Sequence, residues 1–306
     1  VGMSGNFRQM KRRILNIAVF RKETLYQKMR ALIIYLVISA VFIGCTPILS
    51  IDASTQNVYH FSDTDKNISL LDISETFGTY DGSFVLYDNN LDSWKIYDLE
   101  EATKRIPPES TYKIYDALLG LESGIITPEH SSMTWNGDAF PFPSWEADQD
   151  LNSAMQNSVN WYFQAIDSQL GINRVQEFLN KIEYGNQTTS SNLDLYWSDF
   201  SLKISPLEQV TLLKKFNTNE FHLNSQNVFS VKNAIKIAST PNGNFYGKTG
   251  TGRVNGQDIN GWFIGYVETS DNSYYFATNI QSDSNATGKK AFEITSDILK
   301  KLHIWN

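Results

Sequence analysis

Ala31 to Ile51 reads ALIIYLVISAVFIGCTPILSI, twenty-one residues without a charge. A run of that length matches the roughly 20 residues needed to cross ~30 Å of hydrocarbon at ~1.5 Å per residue. It therefore divides the chain into parts that must fold apart from one another. The flanks differ in sign: residues 1–50 carry eight Lys or Arg against the single acid Glu23, net +7, and residues 51–306 carry net −14. The positive-inside rule then places residues 1–30 in the cytoplasm as a basic juxtamembrane segment. Residues 31–51 become a transmembrane helix in the cell membrane and residues 52–306 an extracellular domain. The bland alternative is a buried core helix, but core helices are rarely apolar all round or preceded by so basic an arm.

A second alternative concerns Phe42 to Cys45, FIGC, which has the look of a bacterial lipoprotein processing site. Phe42 stands where Leu is usual, and about 30 residues precede the apolar run, long for the basic region of a signal peptide. Cys45 is the sole cysteine, so residues 52–306 hold together by packing rather than by disulfides. With 41% hydrophobic and 19% charged residues the whole chain can build a real core, and the acidity of residues 52–306 argues against nucleic acid as a partner. The opening VGMSGNF does not read as a natural start, so a fragment of a longer protein is expected.

Alternation in NVYHFSD (57–63), SFVLYD (83–88) and SWKIYD (93–98) predicts an antiparallel meander with turns at Asp81-Gly82 and Asn89-Asn90. Helical patterns follow over 110–123, 151–169, 172–181, 206–215 and 227–237. NGWFIGYVET (260–269) and NSYYFATNIQ (272–281) read as strands, and Lys289 to Leu302 as a closing helix. Strands at both ends with helices between them imply one α+β domain, an antiparallel sheet flanked by helices.

Chemistry enters at PPESTYK, Pro107 to Lys113, which sets a serine three residues before a lysine at the start of an apolar helix. Residues three apart on a helix are neighbours, so the Ser110 hydroxyl and the Lys113 amine can meet as nucleophile and base. Alone the pattern is weak, since Ser110 could simply cap the helix after Pro107-Pro108. Lys113, however, is followed by Ile114, Ala117, Leu118, Leu119 and Leu121, and burial lowers a lysine's pKa toward one that accepts a proton. Two further elements are NSVN, Asn157 to Asn160, and YGKTGTG, Tyr246 to Gly252, at a strand end. By themselves they read equally well as a polar helix end and a glycine-rich turn. The ordered set S-x-x-K, S-x-N, K-T-G is specific to serine enzymes that react with penicillins.

On those motifs, with EYGNQ (183–187), Trp197 in YWSDFSLKIS and the GWFIGYVE strand, residues 55–302 resemble a class D β-lactamase of the serine β-lactamase/penicillin-binding fold. Joined to a span and a basic arm, the chain is most similar to the C-terminal part of the BlaR/MecR β-lactam sensor-transducers. The resemblance implies that Ser110 is acylated by the antibiotic while Lys113 takes its proton. It implies an oxyanion hole of the Ser110 and Thr251 N–H groups and a proton relay through Ser158. It also implies that Lys248, Thr249 and Thr251 bind the antibiotic's carboxylate, with Gly250 letting the ligand approach the backbone, and that Tyr184, Gly185 and Asn186 shape the pocket edge. In class D enzymes carbon dioxide adds to the lysine as a carbamate, which here would form on Lys113 beside the indole N–H of Trp197.

One departure separates two functions. Where the hydrolases have Ser-x-Val, this chain has Ser158-Val159-Asn160, and an amide there favours the ammonium over the carbamate. A persistent acyl group suits a receptor that signals induction of antibiotic resistance; a membrane-tethered class D β-lactamase is the alternative, and a binding domain with a dead site the bland third. The arginine expected near the end of the last strand is not evident, with Lys289 or Lys290 as its replacement. In the family a zinc protease part lies on the cytoplasmic side of the membrane. No H-E-x-x-H occurs here, and His60, His130, His222 and His303 lie far apart, so no metal is assigned to this chain.

Overall fold

Along Gln257–Thr269 nearly every residue from Asn260 to Val267 is buried, which a strand achieves only when both of its faces are covered. The computed structural model describes Met29 and residues 57–62 and 66–306. The basic arm apart from Met29, the apolar run and Cys45 lie outside the described residues. Among the described residues no helix is long and apolar enough to cross a membrane.

A seven-stranded sheet carries the domain. In chain order its strands are β1 (Asn67–Leu70), β2 (Asp81–Asp88), β3 (Ser93–Tyr97), β4 (Lys236–Thr240), β5 (Gly243–Val254), β6 (Gln257–Thr269) and β7 (Ser273–Gln281), arranged β1-β3-β2-β7-β6-β5-β4. Side chains alternate between two apolar layers, Ile264 and Tyr266 on one face against Phe263 and Val267 on the other. The second layer is closed by α1 (Ser74–Phe77) and by the C-terminal helix, Gly288–Lys301. The first packs against the intervening helices: α2 (Leu99–Thr103), α3 (Lys113–Glu122), α4 (Leu151–Gln156), α5 (Asn160–Leu170), α6 (Ile172–Ile182), α7 (Pro206–Asn217) and α8 (Ser225–Ala234). The C-terminal helix is α9.

The α+β expectation holds, and four local expectations do not. Among the described residues NVYHFSD makes only an isolated bridge from Val58 to Lys104, and the second partner of β3, beside β2, is the four-residue β1, paired parallel. Asp81-Gly82 opens β2 rather than turning, because Gly82 at φ 140° lets the chain pass where a Cβ would lie 2.1 Å from Asn279 O. The helix predicted to run to residue 237 stops at Ala234, and Lys236–Thr240 crosses to the sheet edge as β4. The helix predicted over 151–169 breaks in the middle, with Ser158 at φ 53° between α4 and α5.

A strap before α3 is fixed on both sides. Trp262 Nε1 donates to Pro107 O at 2.8 Å, Asn260 Nδ2 to the same oxygen at 3.1 Å, and Glu109 N to Trp197 O at 3.1 Å. At its start Arg105 forks onto Glu208, with Nη2 2.6 Å from Oε1 and Nε 3.0 Å from Oε2. Glu208 in turn completes the capping box of α7 with Ser205. Both partners are largely buried, at 16% and 8% side-chain exposure, so losing one strands the other's charge. Arg105→Met is expected to destabilise the domain by about 3–5 kcal/mol. Urea unfolding followed by fluorescence checks this, and a loss below about 1 kcal/mol would place the pair among surface ion pairs.

Candidate active site

Four segments converge on a cleft of about 350 Å³ lined by Ser110, Ser158, Asn160, Thr249, Gly250 and Thr251, with Phe142, Trp145, Arg253 and Asp258 at its mouth. Ser110 sits inside a 3-10 turn, Glu109–Tyr112, that passes directly into α3. It caps nothing: its hydroxyl accepts from Lys113 Nζ at 3.0 Å, and the same amine donates to Asn160 Oδ1 at 2.8 Å. Lys113 is wholly buried, 4.1 Å from the ring centroid of Trp197 and 5.6 Å from that of Phe163. Burial, and then the neighbouring Lys248 charge, hold its pKa well below the usual lysine range.

The break between α4 and α5 positions the second serine. Asn157 and Ser158 interrupt the helix, Val159 restarts it, and the Ser158 hydroxyl accepts from Lys248 Nζ. Lys248 also donates to Thr249 O at 3.1 Å, and burial draws its pKa down to about 7. The K-T-G triplet lies within β5, not in a turn. β4 pairs only with residues 243–246, so beyond Tyr246 that edge of β5 is turned to the cleft. Gly250 keeps that approach close: an added Cβ would lie 3.1 Å from Pro108 O and 3.3 Å from Ser110 N, tighter than ordinary van der Waals contact. The absent side chain thus lets β5 approach the Ser110 amide, with Thr251 following.

Not every expected residue lines the cleft. Tyr184 is fully buried, edge-on to Tyr112 and Tyr115, with ring centroids 5.2 and 5.1 Å away. Asn186 donates to Ser201 O at 2.7 Å and accepts from Lys203 N at 2.9 Å. Gly185, at φ 52°, has Lys203 O 1.9 Å from where a Cβ would stand. Gly185 and Asn186 brace the segment 201–204 and Tyr184 packs under the start of α3, and none of the three lines the cleft. Lys290 pairs with Glu293 at 3.1 Å, and neither Lys289 nor Lys290 lines the cleft. The cation at the mouth is Arg253 on β5, 2.7 Å from Asp258 Oδ1. It follows K-T-G-T-G directly, a place that an expectation fixed on the last strand overlooks. The aromatic wall comes from FPFPSW, 140–145, where Phe142 packs on Trp145 at 5.3 Å. Nothing in that segment's own pattern signals that it meets the site.

Among the described residues no group of three His, Cys, Asp or Glu side chains is placed to hold a metal ion. A carbamate on Lys113 does fit, since the Trp197 Nε1 beside it is buried and has no hydrogen-bond partner.

Residues 75–300 match the model of the penicillin binding protein transpeptidase domain. The chain is 43% identical to the regulatory protein BlaR1 of Bacillus licheniformis over 99% of its own length, and it spans about half, 50%, of that relative. The C-terminal domain of the Bacillus licheniformis BlaR penicillin-receptor superposes with a TM-score of 0.77 at 45% identity, covering 79% of this chain and 99% of that one. The class D β-lactamase BAT-2 gives a TM-score of 0.72 at 36% identity, covering 77% and 97%.

Proposed function

From a chain that belongs to the penicillin-binding transpeptidase family, in the branch shared by the BlaR receptor domain and the class D β-lactamases, we propose a β-lactam receptor that forms a long-lived acyl adduct. The observation that carries it is the position of Lys113 Nζ between the Ser110 hydroxyl and the Asn160 amide oxygen. Lys113 takes the Ser110 proton as Oγ bonds to the lactam carbonyl carbon. The N–H groups of Ser110 and Thr251 hold the oxyanion. As the lactam C–N bond breaks, Ser158, steadied by Lys248, passes a proton to the departing nitrogen. Lys248, Thr249 and Thr251 attract the antibiotic's carboxylate. Carbon dioxide, when bound to Lys113, would supply a base for water, with Trp197 Nε1 donating to it. Asn160 opposes that state by accepting from the amine, which favours the ammonium.

In this reading residues 52–306 lie outside the cell, Ala31–Ile51 spans the lipid bilayer and residues 1–30 face the cytoplasm. The message crosses the span to an N-terminal membrane and zinc protease part of the parent protein. Intact-mass spectrometry after a single exposure to penicillin tests the receptor. A Ser110 adduct that outlasts removal of free antibiotic is expected. Rapid loss, with excess penicillin consumed, would make the protein a hydrolase instead, and no adduct at all would make it a dead binding domain.

A further inference from the structure

Beneath Lys113 the structure buries two acids that the acylation scheme does not use. Asp116 follows Lys113 by one turn of α3, and Asp167 follows Asn160 by two turns of α5, a helix packed against α3. The Lys113–Asn160 contact therefore has a carboxyl pair stacked below it on the same two helices. Both acids are fully buried. Asp167 Oδ1 accepts from Tyr196 OH at 3.4 Å, while Asp167 Oδ2 and both oxygens of Asp116 have no hydrogen-bond partner. Two carboxylates in one dry pocket cannot both be ionised, so the pair keeps a proton between them.

We propose that Asp116 and Asp167 are positioning residues for Lys113: sharing one proton, they supply the single buried negative charge that balances its ammonium. This rests on the receptor reading above. When Ser110 Oγ bonds to the lactam carbonyl carbon and its proton moves to Lys113 Nζ, the new cation has only the uncharged Oγ of Ser110 and the Asn160 amide as hydrogen-bond partners. The pair's own proton stays in place, and its remaining charge lies one helical turn away. Burial holds both carboxyls above the ordinary range, which favours keeping a proton on the pair. The groups facing the pair are Lys113, Tyr112 from the 3-10 turn, Tyr162 from α5, and Tyr196 with Asp194 from the segment between α6 and α7. Lys113 also faces Lys248 from β5, which opposes its ammonium, and Glu109, which favours it. Glu109 is a further buried acid near Lys113: burial raises it to about 8, against the hydrogen bond it accepts from Asn260 Nδ2.

The test is the pH profile of penicillin acylation in the full chain. Asp116→Asn with Asp167→Asn removes the charge and keeps the shape. Without a negative neighbour the Lys113 pKa falls, so the acid limb moves to lower pH, by about 1–3 units for the loss of an opposite charge one turn away. Asp116→Asn alone leaves one carboxyl to carry the charge and keeps the limb near the wild-type position. A lowered melting temperature with an unmoved limb in the double variant overturns the proposal, because a purely structural pair acts that way. Infrared spectra of the unmodified protein give a second reading if the double variant does not fold. A buried protonated-carboxyl stretch at neutral pH, removed by Asp116→Asn, supports the pair, and its absence overturns it. A wild-type protein that forms no adduct sinks the receptor reading instead, and the infrared result then still decides the pair.

Discussion

Ser110→Ala abolishes covalent labelling by a fluorescent penicillin, and Lys113→Ala slows it by about 10²–10⁴-fold, the usual cost of a missing general base. The cleft holds a rival for the nucleophile, since Ser158 also contacts a lysine drawn down to about 7 by burial. Backbone geometry separates the two. The N–H of Ser158 is already donated to Met155 O at 3.3 Å, so it cannot stabilise an oxyanion on its own hydroxyl's target. That of Ser110 lies close to β5, 3.3 Å from a would-be Gly250 Cβ. A nucleophile without an oxyanion hole forfeits on the order of 10²–10³ in rate per donor. Ser110→Ala should therefore show no slow residual labelling rather than a modest decrease. A labelled Ser158 peptide in a digest of that variant would reverse the assignment.

What could be read in the sequence followed how local each signal was. Ser110 and Lys113 are one helical turn apart, and an apolar run after them announced their burial, so their 3.0 Å contact needed no knowledge of the rest of the chain. The two long strands Gln257–Thr269 and Ser273–Gln281 were legible from their own composition and the turn between them. The break at Ser158 was not, because the helical pattern of 151–169 continues on both sides, and the positive φ of one serine leaves no trace in periodicity. Tyr184 and Asn186 sit near the right segment but face the wrong way, since what they meet, Tyr112, Tyr115 and Lys203, arrives from elsewhere in the sequence. Arg253 and the wall at Phe142 and Trp145 belong to the same class: their proximity to the cleft is a property of topology. The buried acids show the converse. Asp116 was in plain view beside Lys113, and only the packing of α5 supplies the second carboxyl that gives it a chemical meaning.

Asn160→Val shortens the life of the acyl adduct by on the order of 10²-fold or more, the scale at which a recovered general base acts. Asn160 opens α5 and is half-buried, so a branched side chain of similar size can replace it with little cost in packing. What changes is the partner of Lys113. The amide oxygen at 2.8 Å favours the charged amine, and an ammonium cannot take a proton from an incoming water. With valine the amine keeps only Ser110 Oγ, which is esterified in the adduct, and the indole face of Trp197 at 4.1 Å. The dry surroundings then favour the neutral form, already the direction in which burial pushes Lys113. Acylation itself should be little affected, because the Ser110–Lys113 contact does not pass through residue 160. Asn160→Asp supplies the opposite sign: a carboxylate against the amine fixes the ammonium, slows acylation and leaves any adduct that forms as persistent as in the wild type. An intact-mass time course after removal of free penicillin measures all three proteins. Equal adduct lifetimes in wild type and Asn160→Val would show that water is kept from the ester by the shape of the cleft and not by the charge on Lys113.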